Sequence, residues 1–155
     1  FGALLCYTNQ NLHHYDLDLK YDHVKLEQRI KVCAVVMHQV CHRFNDGEQA
    51  FTPKDIHEVT KIPQQIINHA VKELLQAKLL VEIRSEKKGS FEESIILHPI
   101  EKIDHLTYGA MIERLFTYGA DVVGLAEQNP DWEKWKDIDV LNAELVEKGK
   151  SINFV

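Results

Sequence analysis

The stretch FTPKDIHEVTKIPQQIINHAVKELLQAKLLVEI, residues 51–83, decides the fold of this chain. Its first part carries the signals of a helix N-terminus. Thr52 is a suitable N-cap, Pro53 fits the first helical position, and Asp55 can close a turn that resembles a capping box. These residues predict a short helix over 53–60.

The second part of this stretch predicts another helix and then a change to extended structure. Pro63 ends the first run and starts a helix over 63–77. After Lys78 the apolar period changes from helical to alternating, and a glycine-containing turn separates two β-rich runs, which predicts a hairpin over 79–98. Two short helices followed by a hairpin are typical of a helix-turn-helix with a wing.

The flanking sequence adds helices on both sides of this unit. One is predicted over 24–45, one over 106–118, and one in the tail from residue 131 onward. We therefore expect a mainly α protein with a small β-hairpin (α+β), a winged helix-turn-helix with C-terminal helices. The apolar residues expected to face the core of the winged helix are Leu26, Ile30, Cys33, Met37, Val40, Phe44, Ile56, Val59, Ile67, Ala70, Val71, Leu74, Tyr108, Met111, Ile112, Leu115 and Phe116.

Composition points to a globular domain with an appendage. The chain has 155 residues, of which 45% are hydrophobic and 27% charged, and a chain of this size buries enough surface to fold without disulfides. The three cysteines match no zinc framework and indicate a reducing compartment. We predict a lead-in at 1–21, a winged-helix domain at 22–120 and an acidic helical tail at 121–155.

Catalytic signatures are not found in the sequence. It contains no glycine-rich phosphate loop, no H-E-x-x-H and no G-x-S-x-G motif. His57 and Glu58 form a pair that fits a solvated helix surface better than an active site. We expect no catalysis by this chain and no cofactor.

The outward face of the 63–77 helix is the candidate contact surface. Asn and Gln side chains can read adenine, but DNA affinity depends mainly on cations that neutralise phosphates, and this helix has a single lysine beside a glutamate. The glutamates of the wing also offset its cations. These charges favour contact with a protein over contact with nucleic acid. The candidate residues for either partner are Gln65, Asn68, His69, Lys72, Arg84, Lys87 and Lys88.

One helix presents a weak candidate for a metal site. His38, Cys41 and His42 lie at i, i+3 and i+4, so their side chains could converge on zinc. A structural zinc site needs a fourth ligand, and Cys41 lies beside the predicted apolar stripe. A buried cysteine beside two surface histidines is therefore the favoured interpretation.

The tail combines a strong acidic bias with a narrow apolar stripe. Residues 121–155 contain eight acidic residues and four lysines, within a net charge of −6 for the chain. This bias repels phosphate and argues against general affinity for nucleic acid. The stripe predicts a docking surface for a protein partner, formed by Trp132, Trp135, Ile138 and Leu141.

The first residues, FGALLCY, form an apolar run at the start of an otherwise polar sequence. A trimmed signal, a first core helix and the cut end of a longer protein are the three explanations. Together with YTNQNLHHY, the segment from Arg29 to Ile83 and HPIEKIDHLTYGAMIERL, this run resembles the YihY/virulence-factor BrkB family of inner-membrane proteins, formerly labelled ribonuclease BN. The resemblance covers about residues 1–120 and implies that Phe1–Tyr7 ends a last transmembrane helix.

The resemblance implies a bacterial cytosolic module attached to a membrane bundle, on the cytoplasmic side of the inner membrane. Its partner would be another protein or its own membrane bundle, and a homo-oligomer stays open. The ribonuclease label implies tRNA processing, but no zinc-nuclease signature occurs in this sequence. We therefore expect an interaction or regulatory module. The alternative is a nucleic-acid-binding domain, either of a tRNA-processing ribonuclease or of a transcription regulator.

Overall fold

The computed structural model describes residues 20–86, 93–120 and 132–155. Each predicted helix and the hairpin is present, with bounds within two residues of those predicted. Single-turn 3-10 helices lie at Tyr21–His23 and Ile103–His105. In chain order the main elements are α1 (Leu26–Asn45), α2 (Pro53–Thr60), α3 (Gln64–Gln76), β1 (Leu80–Glu86), β2 (Glu93–Pro99), α4 (Tyr108–Thr117) and α5 (Trp132–Gly149).

The core forms where α1 packs against α3 and β2. The buried residues of α1 lie on one stripe, because residues three and four apart share a helix face. α3 contributes the facing apolar set and also packs against α2 and β1. The buried residues of these two helices are Cys33, Val36, Met37, Val40, Cys41, Ile66, Ile67, Ala70, Val71 and Leu74.

Four residues that were expected to face the core are exposed instead. Leu26 and Phe44 lie at the two ends of α1. At 1.5 Å per residue the 20-residue α1 is about 30 Å long and the 13-residue α3 about 20 Å, so the ends of α1 extend past its neighbour. The short α2 buries Ile56 in the core and leaves Val59 exposed. Phe116 is exposed near the end of α4.

The capping box predicted at the start of α2 is confirmed. Thr52 Oγ1 accepts a hydrogen bond from the Asp55 backbone N–H at 3.2 Å, and the Thr52 N–H donates to Asp55 Oδ2 at 2.8 Å. Lys61 ends α2 in the left-handed region with φ of 61°, and its N–H donates to His57 O. This tight turn brings Pro63 to the start of α3 and completes the helix-turn-helix.

β1 and β2 form an antiparallel hairpin in which Leu80 pairs with Pro99 and Glu86 with Glu93. The Leu97 N–H donates to Phe51 O at 2.9 Å, which ties the hairpin to the segment before α2. Its base is buried, whereas Val81, Ile83 and Ile95 farther out are exposed. The described part of the hairpin therefore projects as a wing, and the chain has a winged helix-turn-helix fold.

The C-terminal segment returns to the core beside α1. α4 and α5 approach so closely at Gly109 and Gly149 that a Cβ built on Gly109 would lie 2.6 Å from Lys150 N. The Tyr108 N–H donates to Ile152 O at 2.9 Å, and the Phe154 side chain is buried. The predicted boundaries between the lead-in, the winged-helix domain and the tail, at residues 22 and 121, stay predictions.

Candidate nucleic-acid interface

The outward face of α3 carries the polar residues singled out in the sequence. Gln65, Asn68, His69 and Lys72 are all exposed, while the opposite face of the same helix is buried. Gln64 Nε2 donates to Asn68 Oδ1 at 2.8 Å, so the Asn68 amide oxygen has a partner one turn earlier on the helix. The helix thus presents amide, imidazole and ammonium groups to solvent from a rigid support.

A residue that the sequence analysis missed, Tyr21, lies against this face. Its ring is stacked on the His69 ring, with centroids 4.7 Å apart and planes 7° apart. Its hydroxyl donates to Glu73 Oε2 at 2.6 Å. Burial and the Glu73 carboxylate raise the pKa of Tyr21, so the phenol stays neutral and remains a donor.

Two side chains of α1 complete a cluster around Tyr21. The Arg29 guanidinium lies over the Tyr21 ring, 5.2 Å from its centroid. Cys33 Sγ–H donates to Glu73 Oε2 at 3.6 Å. Burial and the neighbouring carboxylate raise the pKa of the Cys33 thiol, which keeps it protonated. The cluster therefore links α1 and the 3-10 turn to the outward face of α3.

The wing carries one described candidate cation, Arg84, which is exposed on β1. Glu82 and Glu86 flank it on the same strand and are exposed as well. Lys87 and Lys88, the two other wing candidates, lie outside the described residues. Lys61, in the turn before α3, is exposed and adds a positive charge next to α3.

The three candidate metal ligands do not converge. Cys41 is buried, and burial raises its pKa to about 11. His42 Nδ1 lies 2.8 Å from Asp46 Oδ2, and His38 Nδ1 lies 2.7 Å from Phe154 O. Within residues 20–86, 93–120 and 132–155, no group of three or more His, Cys, Asp or Glu side chains is placed to hold a metal ion.

The tail docking surface is described in part. Ile138 and Leu141 lie on α5 and are 45% and 63% exposed, and Leu145 continues their stripe at 44%. The Trp132 and Trp135 side chains lie outside the described residues. In the described part, the stripe is not covered by the chain itself.

The winged-helix fold is shared with solved regulators. The chain resembles the global cysteine regulator CymR (YrzC) of B. subtilis, with 15% identity, a TM-score of 0.55 and coverage of 84% of this chain and 93% of that one. It also resembles Staphylococcus aureus CymR, with 13% identity, a TM-score of 0.50 and coverage of 82% and 92%. No protein-family model and no curated protein matches the sequence.

These comparisons correct the expected membership of the YihY/BrkB family. The structures that resemble most of the chain are those of transcriptional regulators, and no model of the membrane family matches it. The quoted segments are a generic pattern of apolar helices and turns, which an unrelated winged helix produces equally well. No helix in the described part of the chain is long and apolar enough to cross a membrane. The expectations of tRNA processing and of a membrane bundle as partner depended on that membership, and they lose their support with it.

Proposed function

We propose that this chain is a DNA-binding transcriptional regulator that inserts α3 into the major groove and sets its wing beside the phosphate backbone. The observation that supports this proposal most directly is that α3 is amphipathic. Its inner face is buried in the core, and its outer face exposes Gln65, Asn68, His69 and Lys72. The likeness of fold to two CymR structures supports the same assignment. This proposal takes the place of the protein-interaction module expected from charge.

The exposed groups have the chemistry needed to read base edges. Gln65 and Asn68 lie near the N-terminal end of α3, the part of a recognition helix that reaches base edges. A carboxamide can pair with the N6 and N7 atoms of adenine. Lys72 lies one turn later, where its ammonium can neutralise a phosphate.

The acidic charge that argued against DNA is concentrated in the tail. α5 packs on α4, whereas the main partners of α3 are α1, α2 and β1. Screening at physiological salt limits the reach of exposed charges to about 8 Å. The charges nearest the groove are then those around α3, where Lys61, Lys72 and Arg84 are exposed together with the wing glutamates Glu82 and Glu86.

A second copy of the chain would supply the cations that one copy lacks. We propose that it pairs through the exposed stripe of α5, formed by Ile138, Leu141 and Leu145. An isologous pair across a two-fold axis would place each stripe on the stripe of the other copy and remove both from solvent. The pair then presents two copies of α3 to two half-sites of DNA.

The test is selection of duplexes from a randomised DNA library by the purified chain, followed by a salt titration of the selected duplex by fluorescence anisotropy. We expect sub-micromolar affinity at physiological salt and a strong preference over a shuffled duplex. Asn68→Ala should weaken binding and relax the preference at one base pair. Lys72→Ala should weaken binding to both duplexes and reduce the salt slope by about 1 per copy.

Lys31→Ala is the matched control for Lys72→Ala, because it also removes one exposed lysine, from α1, where Lys31 pairs with Glu27. It should leave the affinity and the salt slope unchanged. Affinity weaker than about 10⁻⁴ M for every duplex would match non-specific binding at most. That result would reject the proposal and favour a module that binds a protein partner.

A further inference from the structure

A small cavity lies behind the recognition helix, between α1, α3 and the end of α4. It has a volume of about 110 Å³, well above the roughly 10–15 Å³ that a single water molecule needs. Leu26, Arg29, Ile30 and Cys33 line one side because spacings of three and four residues place them on one face of α1. The other lining residues are Glu73, Leu115, Phe116 and Tyr118.

The cavity contains a cation and an anion that do not pair with each other. Arg29 Nε is buried and has no hydrogen-bond acceptor in the described structure. Glu73 uses Oε2 for both of its donors, the Tyr21 hydroxyl and the Cys33 thiol. Among the described residues, Glu73 Oε1 has no donor. One hydrogen-bond donor and one acceptor, opposite in charge, are thus left open beside the same cavity.

Such an arrangement costs stability unless something occupies it. A buried N–H without an acceptor loses its hydration and gains nothing in return. The walls that complete the cavity are the apolar side chains of Leu26, Ile30, Leu115 and Phe116. Leu26 and Phe116 are also partly exposed to solvent, so the cavity has a route of entry beside them.

We infer that this cavity binds a small free α-amino acid. Its carboxylate would accept from Arg29 Nε–H, its ammonium would donate to Glu73 Oε1, and its side chain would lie against the apolar walls. A zwitterion satisfies both open groups at once, whereas a simple carboxylic acid or amine leaves one of them unpaired. The volume restricts the side chain to a few heavy atoms.

The site is connected to the recognition face of α3, and the regulatory part of the inference rests on the proposed function. Glu73 belongs to α3 and accepts a hydrogen bond from the Tyr21 hydroxyl, and the Tyr21 ring stacks on the His69 ring. The Arg29 guanidinium also lies over that ring. A ligand that draws Arg29 and Glu73 toward the cavity alters both contacts that position Tyr21 against His69, so we expect the amino acid to change the affinity of α3 for DNA.

The test is calorimetric titration of the purified chain, without DNA, with each standard amino acid. For every amino acid that binds, we compare the matched amine, which lacks the carboxylate, and the matched acid, which lacks the ammonium. We expect at least one small apolar or weakly polar amino acid to bind, and both of its analogues to bind about tenfold or more weakly. Arg29→Gln and Glu73→Gln should each weaken binding by a similar factor.

Gln28→Ala is the control, since Gln28 is an exposed neighbour of Arg29 that does not line the cavity. It should bind the amino acid as the unaltered chain does. Binding by no amino acid, binding of an analogue with a single charged group as tight as that of the amino acid, or binding by both cavity variants as tight as that of the unaltered chain would each overturn the inference. The analogue series uses the unaltered chain, so it decides the question even where a variant fails to fold. Because no DNA is present, failure here is distinct from failure of the proposed function.

Discussion

Tyr21 and His69 lie ring on ring, 4.7 Å apart and nearly parallel, although they are 48 positions apart in the chain. His69 belongs to the outward face of α3, and Tyr21 to a single turn of 3-10 helix that precedes α1. The same tyrosine donates to Glu73. One residue outside the helix-turn-helix therefore contacts α3 at two points, one turn apart.

The hydrogen bond from Tyr21 to Glu73 should contribute measurably to stability. Tyr21→Phe removes the hydroxyl but keeps the ring on His69, so we expect unfolding in urea to show a loss of about 1.5–3 kcal/mol, typical of a bond to a charged group. Tyr108→Phe is the control, because the Tyr108 hydroxyl has no hydrogen bond within the described residues. Equal effects of the two substitutions would contradict the role given to Tyr21.

The thiols of Cys33 and Cys41 should be inert in the folded chain. Both are buried, and burial raises the pKa of each, to about 11 for Cys41. At about pH 8, below the ordinary thiol pKa, both stay protonated and out of reach of iodoacetamide. Mass spectrometry of a Cys6→Ser chain should show slow labelling in buffer and complete labelling in urea. Labelling of Cys33 or Cys41 at the rate of a free thiol would contradict this.

The capping box of α2 should hold the first helix of the helix-turn-helix in place. Thr52→Ala removes the acceptor for the Asp55 N–H, and N-cap losses of this kind cost about 1 kcal/mol. Thr117→Ala is the comparison, since its exposed hydroxyl donates only to a carbonyl of its own helix, Glu113 O. Urea unfolding should show a clear loss for the first and a change within about 0.5 kcal/mol for the second.

Local signals in the sequence were sufficient to predict the helix-turn-helix. Thr52, Pro53 and Asp55 form the capping box that they predicted, because capping depends on neighbours within one turn. The prediction that Val59 faces the core was wrong, since the burial of Val59 depends on which helix packs beside α2. Tyr21 was missed for the same reason: its partners His69 and Glu73 come together only when the 3-10 turn packs against α3.

The family membership failed for a related reason. Apolar periods and turn residues report the order of helices and strands, and many unrelated winged helices share that order. A diffuse match over such a pattern therefore predicts the fold correctly and the family wrongly. The sequence places acidic residues in the tail and on the wing, but how near they lie to α3 depends on which helices pack together, and a count of charges does not give that.

The close approach of α4 and α5 should tolerate no side chain at Gly109. A Cβ there would lie 2.6 Å from the backbone N of Lys150 and 2.8 Å from the backbone of Gly149, and backbone atoms cannot rotate away. Gly109→Ala should therefore destabilise the chain by about 1–3 kcal/mol or more. Ala110→Ser is a neighbouring change of similar size on a residue that is only partly buried, and it should cost less. Equal thermal unfolding of the two variants would contradict the close packing.

The exposed stripe of α5 gives the sharpest test of pairing between two copies. Leu141 is 63% exposed and lies in line with Ile138 and Leu145, while Val140 is 57% exposed but points about 100° away around the helix. In a single copy, Leu141→Glu and Val140→Glu would place a charge on equally open surface, and both should be nearly neutral for folding.

In a pair built on the stripe the two substitutions must differ. Leu141→Glu buries a carboxylate at the centre of the interface, next to its own symmetry mate, so sedimentation should show single copies where the unaltered chain forms pairs. Val140→Glu should remain paired. DNA binding reports the same event, because a single copy neutralises half as many phosphates and the slope of log K against log salt should fall by about half. Equal masses for the two variants at every concentration would reject the stripe as the surface that joins two copies.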